Sequence, residues 1–201
     1  MALSKIQSES INLADTFAFT GTVSGAGSQG LVHLETQETS TAVTEMKFGS
    51  DVFNTTYDRY VVKGRVLPTA DANDLQFRFM NSSETDLTAS NSYRESVNNG
   101  SSANRTNGRI ARSIGTVANA ETGVLFHLDV WLPHVGNTDF QAMVNSNCFR
   151  VTTDTDPRHE VIVTYFRFDQ DTTQPAGMNF RMSSNNMDKA LISVFGVSET
   201  G

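Results

Sequence analysis

Apolar residues recur at every second position along most of this chain, and that period restricts its fold more than any other feature. In Asp74–Met80, Leu75, Phe77 and Phe79 share one face, while Gln76 and Arg78 take the other. In Gly123–Leu132, Val124, Phe126, Leu128, Val130 and Leu132 share a face opposite a mixed set of Leu125, His127, Asp129 and Trp131. Glu160–Asp169 and Lys189–Val197 are denser in β-branched and aromatic residues, which predicts central strands covered on both sides. Further strands are expected over Thr16–Ser24, Gly30–Thr36, Ala42–Phe48, Asp58–Leu67, Gly108–Val117, Met143–Thr152 and Met178–Ser183. No stretch offers a long helix. The expected core is Phe77, Phe79, Phe126, Leu128, Val130, Val161, Val163, Ile192 and Val194.

Turn chemistry fills the gaps. Pro68 cannot donate to a ladder, and the Asp and Asn residues up to Asp74 favour local side-chain turns. The stretch from Asn98 to Gly108, rich in Asn, Ser and Gly, predicts a long mobile loop that presents variable surface. Asp154–Pro157 and Asp169–Gly177 are shorter loops of the same kind. Short strands at near-regular spacing with turns between them indicate an all-β sandwich. Residues 1–15 hold only Leu3, Ile6, Ile11 and Leu13 as sizeable apolar side chains after Met1. They read as an arm that orders on a partner surface, with the sandwich running over residues 16–201.

The chain has 201 residues, a length that suits one such domain, and carries a formal charge of −7 with a pI near 5.0. With no run of Lys or Arg, nucleic acid is not expected as a partner. No apolar run is long enough to span a membrane, so no membrane insertion is expected, and the start lacks the apolar core of a secretory signal. Cys148 is the single cysteine, which forbids an internal disulfide and points to synthesis in a reducing cytoplasm.

Motif by motif, the chemistry-bearing residues favour the structural reading. Gly25-Ala-Gly-Ser-Gln-Gly30 matches a dinucleotide fingerprint in letters, but a strand-like Leu31–Thr36 follows it where a helix N-terminus would have to face the pyrophosphate. Ala26 stands two before Ser28, so the segment is no nucleophile elbow either. His33, His127, His134 and His159 lack the spacing of zinc ligands. Asp154/Asp156 and Asp169/Asp171 place carboxylates two apart but without the calcium-loop pattern. Asn54, Asn81, Asn99 and Asn104 open glycosylation triplets that arise by chance in a chain so rich in Asn, Ser and Thr. Tyr57, Tyr60, Tyr93, Trp131 and Tyr165 supply rings for a sugar platform or for the core. Nothing nearby in sequence offers Cys148 the pair of cationic neighbour and base that a nucleophile needs, which predicts a passive thiol, and alternation groups it with Arg150 or, after a bulge, with Phe149. Catalytic, cofactor-binding and metal-binding residues are all expected to be none, and the chain is expected not to be an enzyme.

Tyr57-Asp-Arg-Tyr-Val-Val62 leads to Pro68-Thr-Ala-Asp71 and then Leu75-Gln-Phe-Arg78. This succession resembles a segment of structural proteins from tailed bacteriophages, marine and cyanobacterial ones especially. Tyr93, in Asn91-Ser-Tyr-Arg94, stands where such proteins often carry a tyrosine after a Ser/Gly loop. Met178–Val197, with Gly196 one residue from its end, is similar to their closing hairpin, and Leu3–Gln7 with Phe17–Val23 is similar to the start of many tail and fibre proteins. The turn at Asn81-Ser-Ser-Glu84 departs from the glycine-rich one of those proteins. The resemblance implies a jelly-roll-like antiparallel β-sandwich with a short extended N-terminal arm. It implies a virion role, a tail fibre or appendage first, with capsid decoration or host-glycan binding as alternatives. The partners implied are other virion proteins, further copies of the chain, with a homotrimer favoured, and a host surface glycan.

Overall fold

Two antiparallel sheets stack face to face in the computed structural model, which describes residues 29–54, 56–70, 73–97, 102–114, 123–132, 142–151, 157–166 and 173–199. The twelve strands in chain order are β1 (Gln29–Thr39), β2 (Glu45–Phe48), β3 (Arg59–Pro68), β4 (Asn73–Met80), β5 (Tyr93–Val97), β6 (Ser102–Arg105), β7 (Gly108–Ile114), β8 (Val124–Trp131), β9 (Met143–Val151), β10 (Pro157–Phe166), β11 (Gly177–Met182) and β12 (Met187–Glu199). The large sheet runs β1-β12-β3-β8-β9-β10-β5-β6 and the small one β2-β11-β4-β7. The orders β1-β12-β3-β8 and β2-β11-β4-β7 are those of an eight-stranded jelly roll. The pairs β5-β6 and β9-β10 are insertions that widen only the large sheet.

Alternation decides what lies between the sheets. Leu75, Phe77 and Phe79 on β4 and Phe126, Leu128 and Val130 on β8 are buried, as their period predicts. Phe126 stacks on Phe180 of the small sheet at 6.2 Å between ring centres, and Phe79 meets Phe166 of the large sheet edge-on at 5.5 Å. Gly196 has a steric reason to lack a side chain: a Cβ there would lie 2.6 Å from the Tyr57 ring.

Several expectations are corrected. β10 and β12 lie inside the large sheet, yet each is buried on one face only. Ile162, Ile192 and Val194 point inward, and Val161 and Val163 point outward and are half-exposed, so these two leave the predicted core. A continuous apolar run does not say which alternate set faces the partner sheet. Met178–Val197 is not a hairpin, because β11 belongs to the small sheet and β12 to the large one. Its connection is an arch, and it lies against the arch from β3 to β4. Thr69 N donates to Asn186 O at 3.0 Å and Ser183 N to Asp74 O at 2.9 Å, with Asp74 N returning a bond to Ser183 Oγ at 3.0 Å. Ser102–Arg105, expected within a mobile loop, is the edge strand β6 on β5, and β5 itself was not foreseen. Residues 1–15, the expected strand Thr16–Ser24, and the loops at 154–156 and 169–171 lie outside the described residues.

Candidate functional site

Charge inside the sandwich is locked. β7, the edge of the small sheet, packs beneath the inserted strands, and two carboxylates on the inner face of the large sheet grip its arginines. Glu95 on β5 takes the Arg109 guanidinium two-pronged, with Nε donating to Oε2 at 2.6 Å, while Arg109 Nη1 reaches Asp74 Oδ2 at 3.3 Å. The hydrogen bond to Glu95 holds the Arg109 guanidinium above its ordinary range. Glu160 on β10 pairs with Arg112, accepts the Arg112 backbone N–H at 3.2 Å and has Arg150 Nε at 3.5 Å. Glu95 and Glu160 are both almost fully buried. Cys148 sits opposite Glu160 on β9 and shares the inner face with Arg150, without a bulge. Burial, with the nearby Glu160 charge, pushes its thiol up to about 12, so no thiolate nucleophile is available at neutral pH.

The outer face of the small sheet is equally self-contained. Asn179, fully buried at its centre, donates to Glu45 Oε2 at 2.8 Å and to Asp86 Oδ1 at 2.9 Å. Lys47 pairs with Glu45 at 3.1 Å and Arg78 with Asp86 at 3.1 Å. The Asn179 bond holds the Glu45 carboxyl below its ordinary 4.5.

The outer face of the large sheet is different, and it is the candidate binding surface. Ladder register sets its side chains in rows across the strands. One row runs Arg59, Trp131, Met143, Tyr165, Arg94, and crosses from the jelly-roll strands into the insertions. Another runs Ser193, Lys63, His127, Asn147, Val161, and a third Leu191, Arg65, Leu125, Phe149, His159. Leu125 and Phe149 in one row, and Trp131 and Tyr165 in another, are exposed by between 37% and 56%, with the polar pairs His127/Asn147 and Asp129/Asn145 in the rows between them. Arg59 lies over the Trp131 ring at 5.0 Å while its Nε donates to Asp129 Oδ1 at 2.7 Å, which fixes the indole. An open cleft at one end, lined by Glu38, Arg65, Leu125 and Lys189, holds 280 Å³, under the ~300–1,000 Å³ of small-molecule sites. The geometry is that of a platform for an extended partner.

Of the aromatic residues singled out in the sequence, only Trp131 and Tyr165 stand on this platform. Tyr60 and Tyr93 are buried, with the Tyr60 hydroxyl donating to Asn54 O at 2.5 Å and the Tyr93 hydroxyl to Leu87 O at 2.9 Å, and Tyr57 is half-buried on Gly196. His33, His127 and His159 all lie on the same outer face but on three separate strands, and His134 is outside the described residues. His159 Nε2 donates to Asn147 Oδ1 at 2.7 Å. Among the described residues no three His, Cys, Asp or Glu side chains gather where they could share a metal ion. Sequence reasoning missed Arg94, Lys63, Phe149 and Asn147, because only the register of the ladders makes them neighbours of Trp131 and Tyr165. The chain matches no known protein-family model, no curated protein and no solved structure.

Proposed function

We propose that this chain is a non-enzymatic structural subunit of a tailed-bacteriophage virion, with a tail fibre or related appendage as its place and capsid decoration as the second position. The observation that carries the reading is where the phage-like segments lie. Residues 57–79 supply β3 and β4 and residues 178–197 supply β11 and β12, so both fall on paired central strands of the two jelly-roll sheets. A jelly roll is an architecture of capsid and lectin domains, which build particles and present faces. The buried thiol and the locked inner carboxylates fit a scaffold better than a reactive centre.

In this reading further copies of the chain, as a trimer, and other virion proteins are the partners, and residues 1–15 dock on a neighbour. The test is immunogold electron microscopy of particles made by the genome that encodes the chain, with an antibody against the purified protein. Label on tail appendages is the expected result, and label on the capsid shell would move the subunit to decoration. Unlabelled particles would overturn the virion role.

A further inference from the structure

The chain is acidic overall, with a formal charge of −7, yet the outer face of its large sheet is basic. Among the residues of this face whose side chains the structure describes, the basic ones are Arg59, Lys63, Arg65, Arg94 and Lys189, and the carboxylates are Glu38 and Asp129. Three histidines share it. Asp129 is committed to Arg59, and Glu38 stands 3.9 Å from Arg65, so the carboxylates do not cancel Lys63 or Arg94. Lys63 Nζ lies 5.8 Å from the Phe195 ring and Arg94 is the register neighbour of Tyr165. Cations beside rings, on the face that holds the exposed rings of the described residues, mark a surface complementary to something both negative and stackable.

We propose that this face binds an acidic polysaccharide, a chain of sugar rings bearing carboxylate or sulfate groups. The Tyr165 ring stacks on an apolar sugar face, while Lys63 and Arg94 pair with the acidic groups. Between the cations lie neutral hydrogen-bonding groups. Asn145 and Asn147, two apart on β9, are exposed, Asn147 opposite His127 on β8 and Asn145 opposite the Asp129 that Arg59 holds. Amides that both donate and accept match ring hydroxyls. This spacing also separates a sugar chain from a single-stranded nucleic acid. A phosphodiester backbone needs a continuous basic track with rings in succession. Here strand spacing sets Trp131 and Tyr165 about 10 Å apart, with Met143 between them and Arg59 already over the indole. The inference stands without the virion reading, because it concerns a face and not a particle.

The experiment measures equilibrium binding of the full chain to polygalacturonate, dextran sulfate, neutral dextran and single-stranded oligo-dT, at low and at physiological salt. Binding to at least one acidic polysaccharide, with neutral dextran silent, is expected. Lys63→Ala with Arg94→Ala should weaken that binding by about tenfold, and Tyr165→Ala by about fivefold or more. Lys47→Ala, on the outer face of the small sheet, should leave it unchanged. All four substitutions lie on exposed or half-exposed positions, and unchanged circular dichroism verifies that each variant is folded. No binding to either acidic polysaccharide at low salt would overturn the proposal, as would tighter binding of oligo-dT. Insensitivity to Tyr165→Ala, or an equal loss with Lys47→Ala, would reduce the effect to diffuse charge attraction and overturn it as well.

Discussion

The two faces of the large sheet handle charge in opposite ways. On the inner face Glu95 and Glu160 are almost fully buried and each is held by two or more arginines. On the outer face Lys63, Arg65 and Arg94 are exposed among half-exposed rings. Desolvated charge of the inner kind is tolerated only when every partner is present, so it fixes geometry. Solvated charge of the outer kind adds little to stability and stays free to meet a partner. Strand β5 carries both, with Glu95 inward and Arg94 outward, so this insertion is fastened from below and presents charge above.

Breaking the inner face should have the largest effect. Glu160→Ala leaves Arg112 and Arg150 without their shared carboxylate and is expected to cost about 3–5 kcal/mol, read as a fall in the denaturation midpoint. Phe126→Ala, which removes the ring stacked on Phe180, should cost a similar 3–5 kcal/mol or so. If Glu160→Ala were neutral, the locked inner join would be no join at all.

Asn179→Ala comes next, at about 1–3 kcal/mol, since two carboxylates lose their common donor. The Glu45 carboxyl titrates lower in the folded chain than its ordinary 4.5. Its stabilisation is therefore full above the unfolded value and is lost as pH falls through the folded one. Asn179→Ala should flatten that acid limb of the stability curve, and an unchanged limb would place the coupling elsewhere. Cys148 should resist iodoacetamide at neutral pH until the chain is unfolded, because its thiol is buried and pushed up to about 12. Labelling of the folded chain would contradict that burial.

The smallest stability effects should come from the outer face. Lys63→Ala and Arg94→Ala are each expected to stay within about 0.5 kcal/mol of the parent, measured by the same denaturation. A cost well above that would mean these cations hold the fold, and the contrast between the faces would disappear.

The sequence by itself determined that the chain is all-β and where most strands lie, because alternation is a local property of side chains on an extended backbone. Phe77, Phe79, Phe126, Leu128 and Val130 were legible as core, each lying on a strand with one polar or mixed face. Val161 and Val163 were not, because an unbroken apolar run has no polar phase to show which side meets the partner sheet. β5 and β6 escaped notice for the related reason that a short polar strand is stabilised by its ladder partner and not by its own pattern. Only the tertiary structure set Arg112 against Glu160, 48 positions apart, and Arg94 beside Tyr165. Pairing and register join distant segments through backbone hydrogen bonds that are alike for every residue, so the alternation within one segment does not show which strand it meets.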